Sequence, residues 1–238
     1  MPGDAALDLH IASKSFRAPD GAREPVLRDI RLLAGPGEFL ALLAPSGTGK
    51  STTLRIVLGL DEDFAGHASR PPGRLGVVFQ EPLLAPWLTV AENIRLVVAD
   101  GVAPPDIPAI LDEVGLPGAE GRYPRELSLG MARRAALARA LAVAPDLLVL
   151  DEPFASLDPQ LAATLAGVVA RWAARTRAIV ILATHDLTQA LGLANRILVL
   201  SGRPATLAAD LKVPGAKGRE AFRDEVLGRF PFLGTAAE

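Results

Sequence analysis

One stretch constrains the fold of this 238-residue chain more than any other: Ala44-Pro45-Ser46-Gly47-Thr48-Gly49-Lys50-Ser51-Thr52. The apolar run Phe39-Leu40-Ala41-Leu42-Leu43 leads into it, and Thr53-Leu54-Arg55-Ile56-Val57-Leu58 leads away. A short buried strand, a Gly-rich turn and the opening of a helix predict a loop that cradles phosphate. In such a loop successive backbone N–H groups point inward, and the helix N-terminus adds partial positive charge. A lysine at position 50 reaches the β- and γ-phosphates of a nucleotide, and Ser51 ligates Mg²⁺. Ser46, Gly47, Thr48, Gly49, Lys50, Ser51 and Thr52 are therefore the candidate phosphate binders. Every fixed position of G-x-x-x-x-G-K-[ST] is met except the first, where Ala44 replaces Gly. A left-handed backbone would cost a non-Gly residue about 1–2 kcal/mol there. We therefore expect a negative φ at Ala44.

The remaining pattern places this loop in an α/β protein. Residues 7–33 alternate apolar runs with turn signals, as in Leu7-Asp8-Leu9-His10-Ile11 and Pro19-Asp20-Gly21, and predict an antiparallel β region. Residues 61–74 are polar and rich in Gly and Pro, and Leu75-Gly76-Val77-Val78-Phe79 is a buried strand ending at Gln80. Residues 89–143 read as mostly helical. Thr89 and Glu92 have capping-box spacing, and further helices are expected over 106–114 and 131–143. Strands at 147–150, 178–183 and 197–200 then alternate with helices at 159–175 and 186–193, the pattern of a parallel sheet. The helical block reads as a lobe inserted over about 82–143, inside a domain covering 1–205. Residues 206–238 read as a C-terminal tail, in which Phe222, Val226, Leu227, Phe230 and Phe232 can form an apolar helical face.

Charge and composition narrow the function classes. A net charge of −2 offers no general attraction for nucleic acid or anionic lipid. The absence of cysteine excludes disulfides and thiolate metal sites. Met1 to Asp8 carries neither a basic nor a long apolar segment of the secretory kind, and no run approaches the ~18 apolar residues of a membrane span.

A second acidic element, Leu147-Leu148-Val149-Leu150-Asp151-Glu152, puts two carboxylates at the C-terminal edge of a buried strand, where α/β sheets bind ligands. Asp151 is placed to hold Mg²⁺ through water, and Glu152 to polarise an attacking water. Leu127-Ser128-Leu129-Gly130-Met131 precedes a helix rich in Ala and Arg. Ser128 at its N-cap can address an anion with its hydroxyl and the helix dipole.

On these residues the chain resembles the ATP-binding subunits of ABC transporters. The family signature Leu-Ser-Gly-Gly-Gln aligns with Leu127 to Met131, and its trailing Arg with Arg134; Leu129 and Met131 depart from it, while Ser128 and Gly130 are intact. The resemblance spans about residues 7–205 and includes smaller pieces in family order. Phe16 matches the aromatic that stacks on adenine, and Gln80 the glutamine that reaches Mg²⁺ and water. Ser156-Leu157-Asp158 matches the loop that contacts the other subunit, with Asp158 also reading as an N-cap before Pro159, and His185 matches the γ-phosphate sensor.

The resemblance implies a P-loop NTPase (RecA-like) core with an antiparallel β subdomain and an inserted helical subdomain. It implies ATP and Mg²⁺ as ligands, with Ser51, Gln80 and Asp151 around the metal and Lys50, Gln80, Glu152 and His185 in hydrolysis. It implies head-to-tail pairing with a second copy, so that ATP lies between one phosphate loop and the other copy's Ser128 and Gly130. The segment Val77 to Val90 looks like that of importers in the nitrate, sulfonate and taurine group. Leu83, Leu84 and Trp87 either dock a membrane permease or belong to the core of the helical lobe. The implied assembly is peripheral at the cytoplasmic face of the membrane, served indirectly by a solute-binding protein, and takes no nucleic acid. Two other classes stand beside this one. A non-transport ABC ATPase is disfavoured by the lack of a second cassette, a zinc motif or a basic face. An ATP-binding module with weak hydrolysis is motivated by Ala44, Leu129 and Met131.

Overall fold

The computed structural model describes residues 7–99, 103–155 and 157–234. In chain order these form β1 (Leu7–Arg17), β2 (Arg23–Ala34), β3 (Phe39–Leu43), α1 (Lys50–Val57), β4 (Ala65–Ser69) and β5 (Leu75–Val78). Then come α2 (Val90–Arg95), α3 (Ile107–Glu113), α4 (Leu129–Ala142), β6 (Leu147–Asp151), α5 (Pro159–Arg175) and β7 (Ile179–Thr184). The chain closes with α6 (Leu187–Leu193), β8 (Arg196–Ser201), β9 (Thr206–Lys212) and α7 (Arg219–Arg229). Two compact units divide it, Met1–Pro72 with Ile179–Glu238, and Gly73–Ala178.

In the first unit β3 is buried at all five positions, as its unbroken apolar run requires for a strand covered on both faces. It pairs in parallel with β7 and with β8, aligning Leu43 with Thr184 and with Val199. The three strands therefore end at one edge, and the phosphate-loop sequence begins there. The antiparallel β region is a sheet in the order β2-β1-β4. Along β1, Leu7, Leu9 and Ile11 are buried in the expected alternation. Strand β4 arises from the polar connector at 61–74, which has no apolar alternation to announce it. Gly66 on β4 takes a φ of 136°, and a Cβ there would collide with the His10 carbonyl of β1.

Residues 206–212 differ from the expected tail. They form β9, antiparallel to β8. The pairing is fastened by Arg196, whose Nε and Nη2 donate to the two Asp210 carboxylate oxygens at 2.7 and 2.6 Å. Those bonds raise the Arg196 guanidinium above its ordinary value. Its Nη1 also donates to the Leu33 carbonyl of β2 at 2.7 Å. Beyond β9, α7 buries Val226, and the helix ends at Arg229, so Phe230 and Leu233 are buried from the following turn.

In the second unit β5 and β6 run parallel, aligning Val78 with Leu150. Helix α4 packs on β5, α2 and α3. Its small residues Ala135, Ala136, Ala138 and Ala140 are buried, which lets the backbones approach. Helix α5 spans the expected 159–175. Asp158 caps it by accepting from Leu161 N–H at 2.9 Å, Pro159 opens it, and Leu165, Val168, Val169 and Trp172 form its buried stripe.

Candidate functional site

The phosphate-loop sequence turns on two left-handed glycines, Gly47 (φ 74°) and Gly49 (φ 100°). Only glycine adopts these angles freely, and a Cβ on Gly49 would lie 2.5 Å from Leu27 Cδ2. Ala44 is fully buried and takes no positive φ, so the alanine carries no left-handed strain. Among the described residues, the N–H groups of Gly47 and Gly49 donate to no protein acceptor. Unpaired donors in a loop that opens a helix fit an anion of the phosphate type. Lys50, buried at the start of α1, donates to the carbonyls of Ala44 and Pro45 at 2.7 and 3.3 Å and so stands over the loop. Ser51 follows with an exposed hydroxyl, and Ser46 is exposed in the turn.

His185 follows the last residue of β7, at the edge where β3 delivers the phosphate loop. Its backbone is held on both sides. Thr184 Oγ1 accepts from Asp186 N–H at 3.1 Å, and the Asp186 carboxylate caps α6 by accepting from Thr188 and Gln189 N–H. Phe16 lies on β1 in the same unit and is 47% exposed, which a core phenylalanine would not be.

In the second unit Asp151 is the last residue of β6 and is buried. Glu152 follows with φ 47°, a left-handed conformation that costs a non-Gly residue on the order of 1–3 kcal/mol. Such strain collects where a side chain is aimed rather than packed. Gln80 leaves β5 at the same edge of the β5–β6 pair, since Val78 and Leu150 are in register. Ser51 offers a hydroxyl, Asp151 a carboxylate and Gln80 an amide carbonyl, the oxygen chemistry that Mg²⁺ takes.

Ser128 is the N-cap of α4, with its Oγ accepting from Met131 N–H at 3.3 Å. Leu129, in place of the family's first glycine, stands exposed on the first turn. Gly130 has little room for a side chain, because a Cβ there would lie 3.2 Å from Leu161 Cδ2. Arg134 returns to Gly130, its Nε donating to that carbonyl at 3.3 Å and its Nη1 to the Gly115 carbonyl at 2.5 Å. Asp158 is engaged as the α5 cap, while Ser156 lies outside the described residues.

Two side chains that organise this unit are not evident from motif reading. Arg139 of α4 donates from Nη1 to the Leu83 carbonyl at 2.8 Å and from Nη2 to the Pro82 carbonyl at 3.0 Å. Burial pushes its guanidinium below the ordinary arginine value. Asn93 of α2, itself buried, accepts from Ala85 N–H at 2.7 Å and donates to the carbonyls of Ala85, Leu88 and Thr89. A cation inside an alanine-rich helix, and an amide on a buried helix face, were the available signals. The segment so held presents Leu83 at 56% and Trp87 at 75% exposure, so these two are not buried core.

The sequence profile of the family described as ABC transporter matches residues 27–155. The chain is 41% identical over 223 residues to the "Aliphatic sulfonates import ATP-binding protein SsuB 2" of Pseudomonas syringae pv. tomato, covering 94% of each chain. It is 43% identical over 222 residues to the protein of that name from Burkholderia cenocepacia, covering 90% of this chain and 80% of the other. In structure it is similar to the ATP-binding cassette MJ0796 in a dimeric post-hydrolysis state bound to ADP and Pi. The TM-score is 0.78 at 25% identity, over 88% of this chain and 99% of that one. Among the described residues no helix is long and apolar enough to cross a membrane.

Proposed function

This chain belongs to the ABC transporter family, and from that premise we propose that it is the ATP-hydrolysing subunit of an importer for aliphatic sulfonates. The observation that carries the reading is the phosphate loop. Its Gly47 and Gly49 N–H groups are unpaired, Lys50 stands over it, and His185 leaves the adjacent strand at the same sheet edge. The names of the relatives support the solute class, and a small anionic solute agrees with the importer group that the Gln80 segment resembles.

ATP is the substrate. Phe16 stacks on its adenine, and the N–H groups of residues 46–52 with Lys50 neutralise its phosphates. Ser51, Asp151 and Gln80 hold Mg²⁺, which supplies further positive charge to the phosphates. Glu152 accepts the proton of the attacking water, and His185 holds the γ-phosphate as the bond to it breaks. Ser128 and Gly130, with Asp158 near them in the family pattern, address the ATP held by a second copy. A ligand bound between two copies favours the closed dimer, and hydrolysis releases it.

The organisation expected from the sequence stands as part of this proposal, with a helical lobe that carries the permease contact. Leu83 and Trp87 form its exposed apolar surface, and such surfaces mark interfaces. Through that contact the chain sits at the cytoplasmic face of the membrane.

The test is turnover in the assembled transporter, wild type against Glu152→Gln. The expected outcome is a fall in ATP hydrolysis of about 10²-fold or more, with an ATP-dependent dimer retained in light scattering. Equal, near-zero rates for both proteins would instead make the chain a binding module without useful hydrolysis.

A further inference from the structure

Phe16 does not stand alone on β1. The ammonium of Lys14 lies 4.7 Å from the centroid of its ring, within cation–π range. Lys14 is only 3% exposed, a rare condition for lysine unless it is paired. Its Nζ donates to Asp61 Oδ1 at 2.7 Å and to the Asp63 carbonyl at 2.7 Å, with Asp63 Oδ2 3.8 Å away. Asp61 also accepts from Asp63 N–H at 3.1 Å, while its own N–H donates to the Arg55 carbonyl at 3.3 Å. The buried ammonium thus touches the ring on one side and the chain leaving α1 on the other.

We infer that Lys14 is a positioning residue for the nucleotide base, holding the Phe16 ring from behind and tying it, through Asp61, to the helix that carries the phosphate loop. The inference rests on Phe16 being the adenine platform. A half-exposed phenylalanine on a strand end loses rotamer freedom when a base stacks on it, and that loss weakens binding. A fixed cation against one face removes the freedom beforehand. It also draws π density toward itself, leaving the outer face better suited to a base. Asp61 and the Asp63 carbonyl supply the counter-charge and acceptor that let the cation stay buried. Because the Asp61 N–H donates to the Arg55 carbonyl, hydrogen bonds tie the base platform to the helix that follows the phosphate loop.

The test uses the full chain with two probes, AMP-PNP, which carries the base, and inorganic tripolyphosphate, which does not. Lys14→Met keeps the buried stem and removes the charge. It is expected to weaken AMP-PNP binding about five- to tenfold while tripolyphosphate affinity moves less than about twofold. Lys14→Met leaves Asp61 without its cation and can cost fold stability. The double variant Lys14→Met/Asp61→Leu, which replaces the pair by apolar groups, is therefore measured too and is expected to show the same base-selective loss. Equal weakening of both probes, or of neither, in the double variant overturns the inference. Phe16→Ala separates the two readings. If it leaves AMP-PNP affinity unchanged, the platform itself fails and the role of Lys14 fails with it. If Phe16→Ala weakens AMP-PNP and the Lys14 variants do not, only the role of Lys14 is lost.

Discussion

Arg139→Met removes the fork that holds the segment after Gln80 while keeping an unbranched stem of similar length. Two charge-assisted hydrogen bonds, to Pro82 and Leu83, are lost. At the low end of their range such bonds contribute about 1.5 kcal/mol each, because these acceptors lie near the surface. Arg139 is only partly buried, so after discounting for solvent screening the variant recovers about 1 kcal/mol of the guanidinium's desolvation cost. The net loss is about 2 kcal/mol. It falls on a loop already strained at Leu83, whose φ of 45° costs about 1–2 kcal/mol and persists only while its neighbours hold it. The assay is hydrogen exchange at the Ala85 and Leu88 amides, which donate to Asn93 Oδ1 at 2.7 Å and to the Ala85 carbonyl at 3.2 Å. A loss of about 2 kcal/mol predicts exchange roughly thirtyfold faster there, with amides of β6 little changed. The reasoning is refuted if Ala85 and Leu88 exchange at the wild-type rate. The fork would then steady α4 alone and leave the segment at 82–88 to Asn93.

Three further outcomes follow from the same geometry. Gly76→Ala puts a Cβ 2.7 Å from the Ala140 carbonyl and 2.8 Å from Pro145 Cγ, and overpacking against backbone should cost about 2–3 kcal/mol, read as a lower denaturant midpoint. Ser128→Ala removes the cap of α4, worth about 1 kcal/mol; in a Glu152→Gln background it should also abolish the ATP-dependent dimer seen by light scattering. Glu92 is held below its ordinary pKa by accepting from the backbone N–H and hydroxyl of Thr89. Its stabilisation of α2 is therefore present above the unfolded carboxylate value and lost as pH falls through the lowered one. The Thr89 amide resonance should report that acid transition, and Glu92→Gln should flatten it.

Local chemistry was legible wherever partners lie within a few residues. The caps at Thr89, Asp106, Ser128, Asp158 and Asp186 each accept from an N–H two or three positions on, so their residue types announce the helices they open. The turn after β3 is legible for the same reason, since its two left-handed glycines and Lys50 lie within nine consecutive positions. Strand β4 was missed because its pairing to β1 rests on Gly66 fitting against His10, which no apolar pattern encodes. Strand β9 was missed because Asp210 meets Arg196 across a hairpin and the strand is exposed along much of its length. The left-handed φ of Glu152 is likewise invisible in a sequence where glutamate has no special backbone preference.

The residue types alone determined that a Gly-rich turn follows β3, that β6 ends in acidic residues and that a serine caps α4, because each is built from neighbours along the backbone. Only the tertiary structure decided that the Lys14 ammonium beside Phe16 meets Asp61, 47 positions away, and that Arg139 meets carbonyls 56 and 57 positions away. Those bonds depend on which segments the packing brings within 3 Å, and a side chain's type does not specify its distant acceptor.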